Sequence, residues 1–376
     1  MSATLAVAGI ALVVFILWDA FETTVLPRRV TRSFRLTRLF YRSTWAPSAA
    51  LARRLPAGKV RQGLLSAFGP LSLILLFAFW ASGLIGGFAL LHASAQAPGS
   101  ASFGTSLYMS GTTFFTLGLG DVTPHSPLDR IVTVAESGIG FGFLAVVIGY
   151  LPVIYGAFSR RETNITLLDA RAGSPPSART LISHYGQPEH LPSFIAFLRD
   201  WESWTAELME SHLSYPVLCY YRSQHDNQSW LGALTAILDT CSLVAAHVEG
   251  ELARQARLTF AMARHAVVDL SQVLKVPPHP AGRERLSHEG LAAIRADLAA
   301  VGVSLCDRGE AETRLTEFRR LYEPYVCALG ERLLIPIPAW ARPAHAANWQ
   351  TSAWEKVAAG ASERAARDSP ENEEHL

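Results

Sequence analysis

Charge is scarce in this sequence. Only 17% of the 376 residues are Asp, Glu, Lys or Arg, against about 25% in soluble domains. The deficit lies in the first 160 residues, so part of the chain belongs in lipid. Acidic residues are missing altogether from Arg28 to Arg61, a stretch with nine Arg and one Lys, Lys59. Cysteine is rare: Cys219, Cys241, Cys306 and Cys327 show neither metal spacing nor a paired framework. They read as reduced, mostly buried thiols in a cytosolic region. His184, His190, His212, His225 and His265 lack an H-x-x-x-H spacing, which argues against a metal site. No serine, cysteine or carboxylate pair suggests catalysis, so the chain is not read as an enzyme and no cofactor is expected. After residue 160 there is no Gly-rich turn with alternating strands and helices, as a dinucleotide fold needs, and no cyclic-nucleotide β-roll pattern. The net charge of +1 singles out no partner, and nothing points to nucleic acid.

What the chain does have is long apolar runs. Leu5 to Trp18 is uncharged and continues to Leu26 past Asp19 and Glu22; Phe68 to Leu91 is uncharged; Ile131 to Phe158 holds one charge, Glu136. A spanning helix needs about 20 apolar residues, so each of these runs can cross. The first has no Lys or Arg before it and no small-residue cleavage site after it, and reads as a retained anchor. Positive loops stay in the cytoplasm. The basic stretch therefore predicts an external N-terminus in the cell membrane, an outward second span and a returning third span. Everything after Arg161 is then cytoplasmic.

Arg29, Arg32, Arg35 and Arg38 recur at every third position and Arg42 follows. Voltage sensors use such spacing, but Thr31, Ser33 and Thr37 lie between, and the other spans of a sensor are missing. The preferred reading is an amphipathic helix on the inner leaflet, its five arginines facing anionic lipid and Phe34, Leu39 and Phe40 dipping in. Each basic residue there contributes about 1 kcal/mol. Asp19 and Glu22, near the inner end of the first span, are expected to pair with Arg28, Arg29 or Arg32.

The external loop from His92 to Pro127 contains Ser106-Leu107-Tyr108-Met109-Ser110-Gly111-Thr112-Thr113-Phe114-Phe115, too short to cross, then Thr116-Leu117-Gly118-Leu119-Gly120-Asp121, then Val122-Thr123-Pro124. Ser102 or Thr105 can cap the short helix. These residues resemble the pore domain of potassium channels, whose pattern is a short pore helix, T-V-G-Y-G-D and an inner helix. The resemblance covers about residues 66 to 158. It implies a potassium-type cation channel subunit that conducts passively. One chain has one loop, so four chains must meet on the axis as a homotetramer. By resemblance, Thr116 gives its carbonyl and hydroxyl to the ion, and Leu117, Gly118 and Leu119 give carbonyls; these are the potassium ligands. Gly118 and Gly120 permit the left-handed backbone that this needs. Asp121 attracts cations at the outer end or braces the filter from behind. Leu119 departs from the usual Tyr and is similar to the second pore repeat of two-pore-domain potassium channels. Thr112 and Phe115 also depart, and with Thr113 and Glu136 they are assigned to pore-helix support. The alternatives are a weakly selective cation channel, or a membrane sensor or scaffold with a non-conducting pore.

In the third span, Gly140 falls where the family has its gating glycine; a packing contact is the other reading. Pro152 removes a helical hydrogen bond and is a second gating candidate. Glu136 either braces the pore helix through Thr112, Thr113 or a backbone donor, or faces the cavity. Beyond it, helical periodicity predicts helices at 191–212, 230–248, 252–274, 286–305 and 310–334. The patch from His212 to Trp230, with Tyr215, Tyr220, Tyr221, Arg222, His225, Asp226, Asn227 and Gln228, binds an unknown cytosolic ligand or a neighbouring subunit, or ends the bundle core.

The expected fold is an all-α membrane protein with three transmembrane helices, a re-entrant pore helix and filter, and a cytoplasmic helical bundle. The expected domains are an anchor at 1–27, a basic interfacial linker at 28–65, a pore domain at 66–159, a helical domain at 160–358 that regulates the pore, and a disordered tail at 359–376.

Overall fold

The structure is a computed structural model that describes residues 2–26, 35–95, 102–225, 227–279, 284–300, 302–303, 305 and 310–341. Arg28, Arg29, Arg32, Phe34, Asp226, Cys306 and the tail from 359 lie outside these residues. The described chain is helical with no strand. The helices are α1 (Ser2–Thr24), α2 (Leu36–Arg54), α3 (Lys59–Ala95), α4 (Phe103–Phe114), α5 (Pro127–Ala172), α6 (Ala178–Tyr185), α7 (Leu191–Ser214), α8 (Trp230–His247), α9 (Glu251–Val273), α10 (His288–Ala300) and α11 (Ala311–Leu333). Two compact units form: Met1–Arg160 with Leu208–Arg222, and Arg161–Glu207 with Ser223–Leu376.

In the first unit, α1, α3 and α5 are long and apolar enough to cross a membrane. Small residues bring α1 against α3: a Cβ on Gly9 would meet Gly87 O at 2.7 Å, and one on Gly83 would meet Ile16 Cδ1 at 2.2 Å. Helices in lipid gain their contact through such close approach. Asp19, buried near the C-terminal end of α1, caps α2; the arginines expected to pair with it, Arg28, Arg29 and Arg32, lie outside the described residues. Its carboxylate accepts from Leu36 N at 3.0 Å, Thr37 N at 3.1 Å, Thr37 Oγ1 at 2.6 Å and Trp80 Nε1 at 3.1 Å. A carboxylate at a helix start satisfies otherwise orphan amides and the helix dipole. Glu22 accepts from Trp18 Nε1 at 2.7 Å and lies 3.8 Å from Arg35 Nε.

The Arg35 guanidinium is half-buried on α1 and donates to Thr23 Oγ1 at 3.0 Å. Arg38 is half-buried and Arg42 exposed. Leu39 is exposed as expected, whereas Phe40 packs on Phe79 with ring centroids 5.9 Å apart.

The segment Leu208–Arg222 is built into this unit. Tyr220 stacks on Tyr41 at 5.6 Å and meets Trp45 at 5.0 Å and Phe68 at 5.4 Å. Tyr215 meets Tyr150 at 5.5 Å, and Tyr221 meets Phe158 at 5.6 Å. Burial holds the Tyr41 phenol well above its ordinary range. Burial, with Arg61 nearby, lowers Arg222 to about 10. The members of the polar-aromatic patch up to Arg222 belong to the first unit, and the described ones after Ser223 belong to the second.

In the second unit, α8 is apolar enough to span, yet every residue of it is buried among α6, α9 and α11. Asp239 in its middle shows why it is a core helix. The carboxylate receives Arg285 Nη1 at 3.0 Å, Arg285 Nη2 at 2.6 Å and Tyr322 Oη at 2.5 Å. Such a buried charge is tolerated because it is paired and hydrogen-bonded.

Candidate functional site

The pore loop starts at α4, whose 12 residues are too few to cross. Ser102 caps it, its Oγ accepting from Thr105 N at 3.2 Å. Ser106, Met109, Ser110 and Phe114 form its buried face, at helical spacing.

The last turn of α4 anchors the start of the filter. Phe115 N donates to Gly111 O at 3.1 Å, Thr116 N to Thr113 O at 2.9 Å and Leu117 N to Thr112 O at 2.8 Å. The orphan carbonyls of the helix end are thereby satisfied. Thr112 and Thr113 hold the start of the loop through their main-chain carbonyls. The Thr112 hydroxyl instead donates to Met109 O at 3.0 Å. Phe115 is exposed, its ring edge-on to Phe114 at 5.4 Å.

From Thr116 onward the backbone alternates in hand. Thr116 (φ 56°), Gly118 (φ 56°) and Gly120 (φ 79°) are left-handed. An extended strand turns successive groups to opposite sides; alternating hand turns successive carbonyls to the same side. The carbonyls of Thr116, Leu117, Gly118 and Leu119 accept no hydrogen bond from any described residue. The glycines were legible in the sequence. The left-handed Thr116, which costs roughly 1 kcal/mol, was not.

Asp121 closes the loop and is held from behind. Tyr108 Oη donates to its Oδ2 at 2.9 Å, and Val122 N donates to its Oδ1 at 3.1 Å. Leu119 brings no hydroxyl, and Tyr108 supplies one from the pore helix instead. Sequence reasoning missed Tyr108, although a tyrosine 13 residues before the acid is a signal that could have been weighed.

Glu136 is fully buried and does reach the pore helix, but through Ser110 rather than Thr112 or Thr113. Ser110 Oγ lies 2.5 Å from Glu136 Oε1. Its other oxygen lies 2.8 Å from His92 Nε2, and His92 Nδ1 lies 2.6 Å from Asp129 Oδ1. Sequence reasoning also missed His92, Asp129 and Ser110, which are distant in sequence and meet only where α3, α4 and α5 pack.

Gly140 sits against the end of α4. A Cβ there would meet Phe114 O at 2.1 Å. Of its two readings, close packing is the one with a contact on view. Pro152 lies inside α5, which continues to Ala172.

Residues 73–154 match the family model described as "Ion channel", a segment that runs from α3 through the filter into α5. The segment fits the potassium-channel pore-domain family that its filter residues resemble. A protein of Bacillus subtilis (strain 168) named "Uncharacterized membrane protein YdjJ" is 27% identical over 183 residues, 47% of this chain and 52% of that protein. The chain thus spans about half the length of that relative. No solved structure matches the chain. The chain has helices long and apolar enough to cross a membrane, and its segment 73–154 is similar to an ion-channel family.

Proposed function

We propose that the chain is one subunit of a homotetrameric potassium channel that conducts passively through Thr116 to Asp121. The observation that carries this reading is the filter backbone: left-handed at 116, 118 and 120, its amides returned to α4, its carbonyls unclaimed by any described residue. A potassium ion exchanging its water shell for rings of oxygens needs such carbonyls. In this reading the ion is cargo, ligated by Thr116, Leu117, Gly118 and Leu119.

Assembly into four follows from one loop per chain. The inner helix supports it, because only 11% of its apolar window is buried within the chain. Ile131, Val134, Phe141 and Ile148 are each at least 63% exposed there. In the proposed topology the N-terminus is outside, α2 lies along the inner leaflet of the cell membrane with Arg38 and Arg42 toward anionic lipid, and the C-terminal unit is cytoplasmic. That unit regulates the pore. Gly140 and Pro152 are the proposed gating positions on the inner helix.

Purified protein in liposomes tests the proposal. A potassium gradient should drive flux that barium or large quaternary ammonium ions block. Equal sodium and potassium flux would identify a weakly selective cation channel. No flux under any condition would identify a membrane sensor or scaffold.

A further inference from the structure

We propose that His92, clamped between Asp129 and Glu136, is a positioning residue for the pore helix, and that the proton content of this cluster sets how firmly the filter is held. The proposal rests on the channel reading above and assigns a new role within it. His92, Asp129, Glu136 and Ser110 are all buried at 3% exposure or less. They come from three elements: α3 gives His92, α5 gives Asp129 and Glu136, and α4 gives Ser110. Among the described residues, Asp129 and Glu136 are the charged groups in contact with His92.

The contacts demand more protons than a neutral His92 and Ser110 carry between two ionised carboxylates. Both ring nitrogens of His92 face carboxylate oxygens, at 2.6 and 2.8 Å. A neutral imidazole has a single N–H. One of these two contacts therefore needs a further proton, on the ring or on a carboxyl. The second shortage is at Ser110. Its one hydroxyl faces Glu136 Oε1 at 2.5 Å and Ile85 O at 2.8 Å. The Ile85 carbonyl can only accept. When Ser110 donates to it, the contact with Glu136 needs a proton on Glu136.

Four contacts thus need four protons. Ser110 and neutral His92 bring one each. With two more, every contact is bonded, the cluster is neutral, and Ser110 ties the pore helix to both α3 and α5. With one fewer, the cluster carries one negative charge in a buried site. When His92 holds both ring protons, Ser110 must then leave either Ile85 or Glu136 unbonded, and the pore helix loses one of its two tethers. Full tethering therefore belongs to low pH and is lost as pH rises through the titration of the cluster. Ser110 is two residues from Thr112, whose carbonyl receives Leu117 N. A loosened α4 thereby loosens the filter.

The test uses the full chain in liposomes, with potassium and sodium permeation compared from about pH 5 to about pH 9 on both faces. That window brackets the ordinary histidine range and starts just above the ordinary carboxylate range. The ratio of potassium to sodium permeation should fall about fivefold as pH rises, the size expected for one hydrogen bond. Glu136→Gln carries a permanent donor toward Ser110 and should give a high ratio at every pH. Ser110→Ala cuts the pore helix from the cluster and should give a low ratio at every pH. A wild-type ratio that does not change with pH overturns the proposal, as does either variant keeping the wild-type slope. Each variant decides the matter alone if the other does not fold. Absence of wild-type flux at every pH is a different result: it refutes the channel reading itself.

Discussion

Replacing Gly140 by alanine separates two uses of that glycine. The added Cβ would lie 2.1 Å from Phe114 O, 2.9 Å from Phe114 C and 3.0 Å from Phe114 Cα. All three are backbone atoms, so no side chain can rotate away. Restoring an ordinary contact of about 3.4 Å requires α5 and the end of α4 to separate by roughly 1.3 Å. Overpacking of this kind typically costs 1–3 kcal/mol, partly offset by about 1 kcal/mol of improved helix propensity. The fold should therefore survive, with a net loss of about 0–2 kcal/mol. The filter should not survive unchanged. Phe114 directly follows Thr112 and Thr113, whose carbonyls hold the amides of Leu117 and Thr116. Functional sites need positioning to about 0.5 Å. Liposome flux should show potassium conduction reduced on the order of a hundredfold, as for other 1 Å misplacements of positioned groups, with tetramers intact by size. Gly138→Ala is the control, since its Cβ would meet nothing within 4 Å. A Gly140→Ala channel with normal conductance and selectivity but altered open time would refute the packing argument and favour a hinge.

Other substitutions test the remaining contacts. Gly118→Ala or Gly120→Ala meets open space but places a Cβ on a left-handed residue, at roughly 1–2 kcal/mol; conduction should be lost while tetramers persist on size-exclusion chromatography. Asp19→Ala strips the cap from α2 and leaves Trp80 Nε1 without its carboxylate, so thermal unfolding in detergent should report a loss of about 2–3 kcal/mol. Tyr220→Ala empties the site formed by Tyr41, Trp45 and Phe68; about 3 kcal/mol is lost, and limited proteolysis should cut between 208 and 222 faster than in the wild type.

The spans and the filter were legible because their signals are local. An apolar run has to be long, and the filter needs two glycines at fixed positions after a threonine. The helices of the second unit were legible from periodicity to within a few residues, except that α10 runs only from His288 to Ala300 and α6 carried too short a pattern to be seen. Everything set by contact between distant segments escaped. Glu136 announced itself as the only charge in its span, but its partners His92 and Ser110 lie 44 and 26 residues away, and a single sequence has no means of pairing them. The backbone amides of Leu36 and Thr37 that Asp19 holds become orphaned only once α2 exists, so this cap could not be read from charge pairing. The basic row was read as one face, yet Arg35 is drawn back onto Glu22 and Thr23.

The chain passes between the two compact units three times, at 160/161, 207/208 and 222/223. This makes the pore a poor candidate for modular exchange. A protein cut after Arg160 would keep every residue of the filter and the inner helix's apolar part, but it would lose Tyr215, Val217, Leu218 and Tyr220 from the membrane unit's own core. Trp45 and Phe68 would then face water or lipid where an aromatic ring belongs. Transplanting the pore onto another regulatory region would carry the same penalty unless Leu208–Arg222 travelled with it. The heritable unit here is the pore together with a short stretch encoded some fifty residues downstream, so recombination at the apparent domain boundary should be selected against.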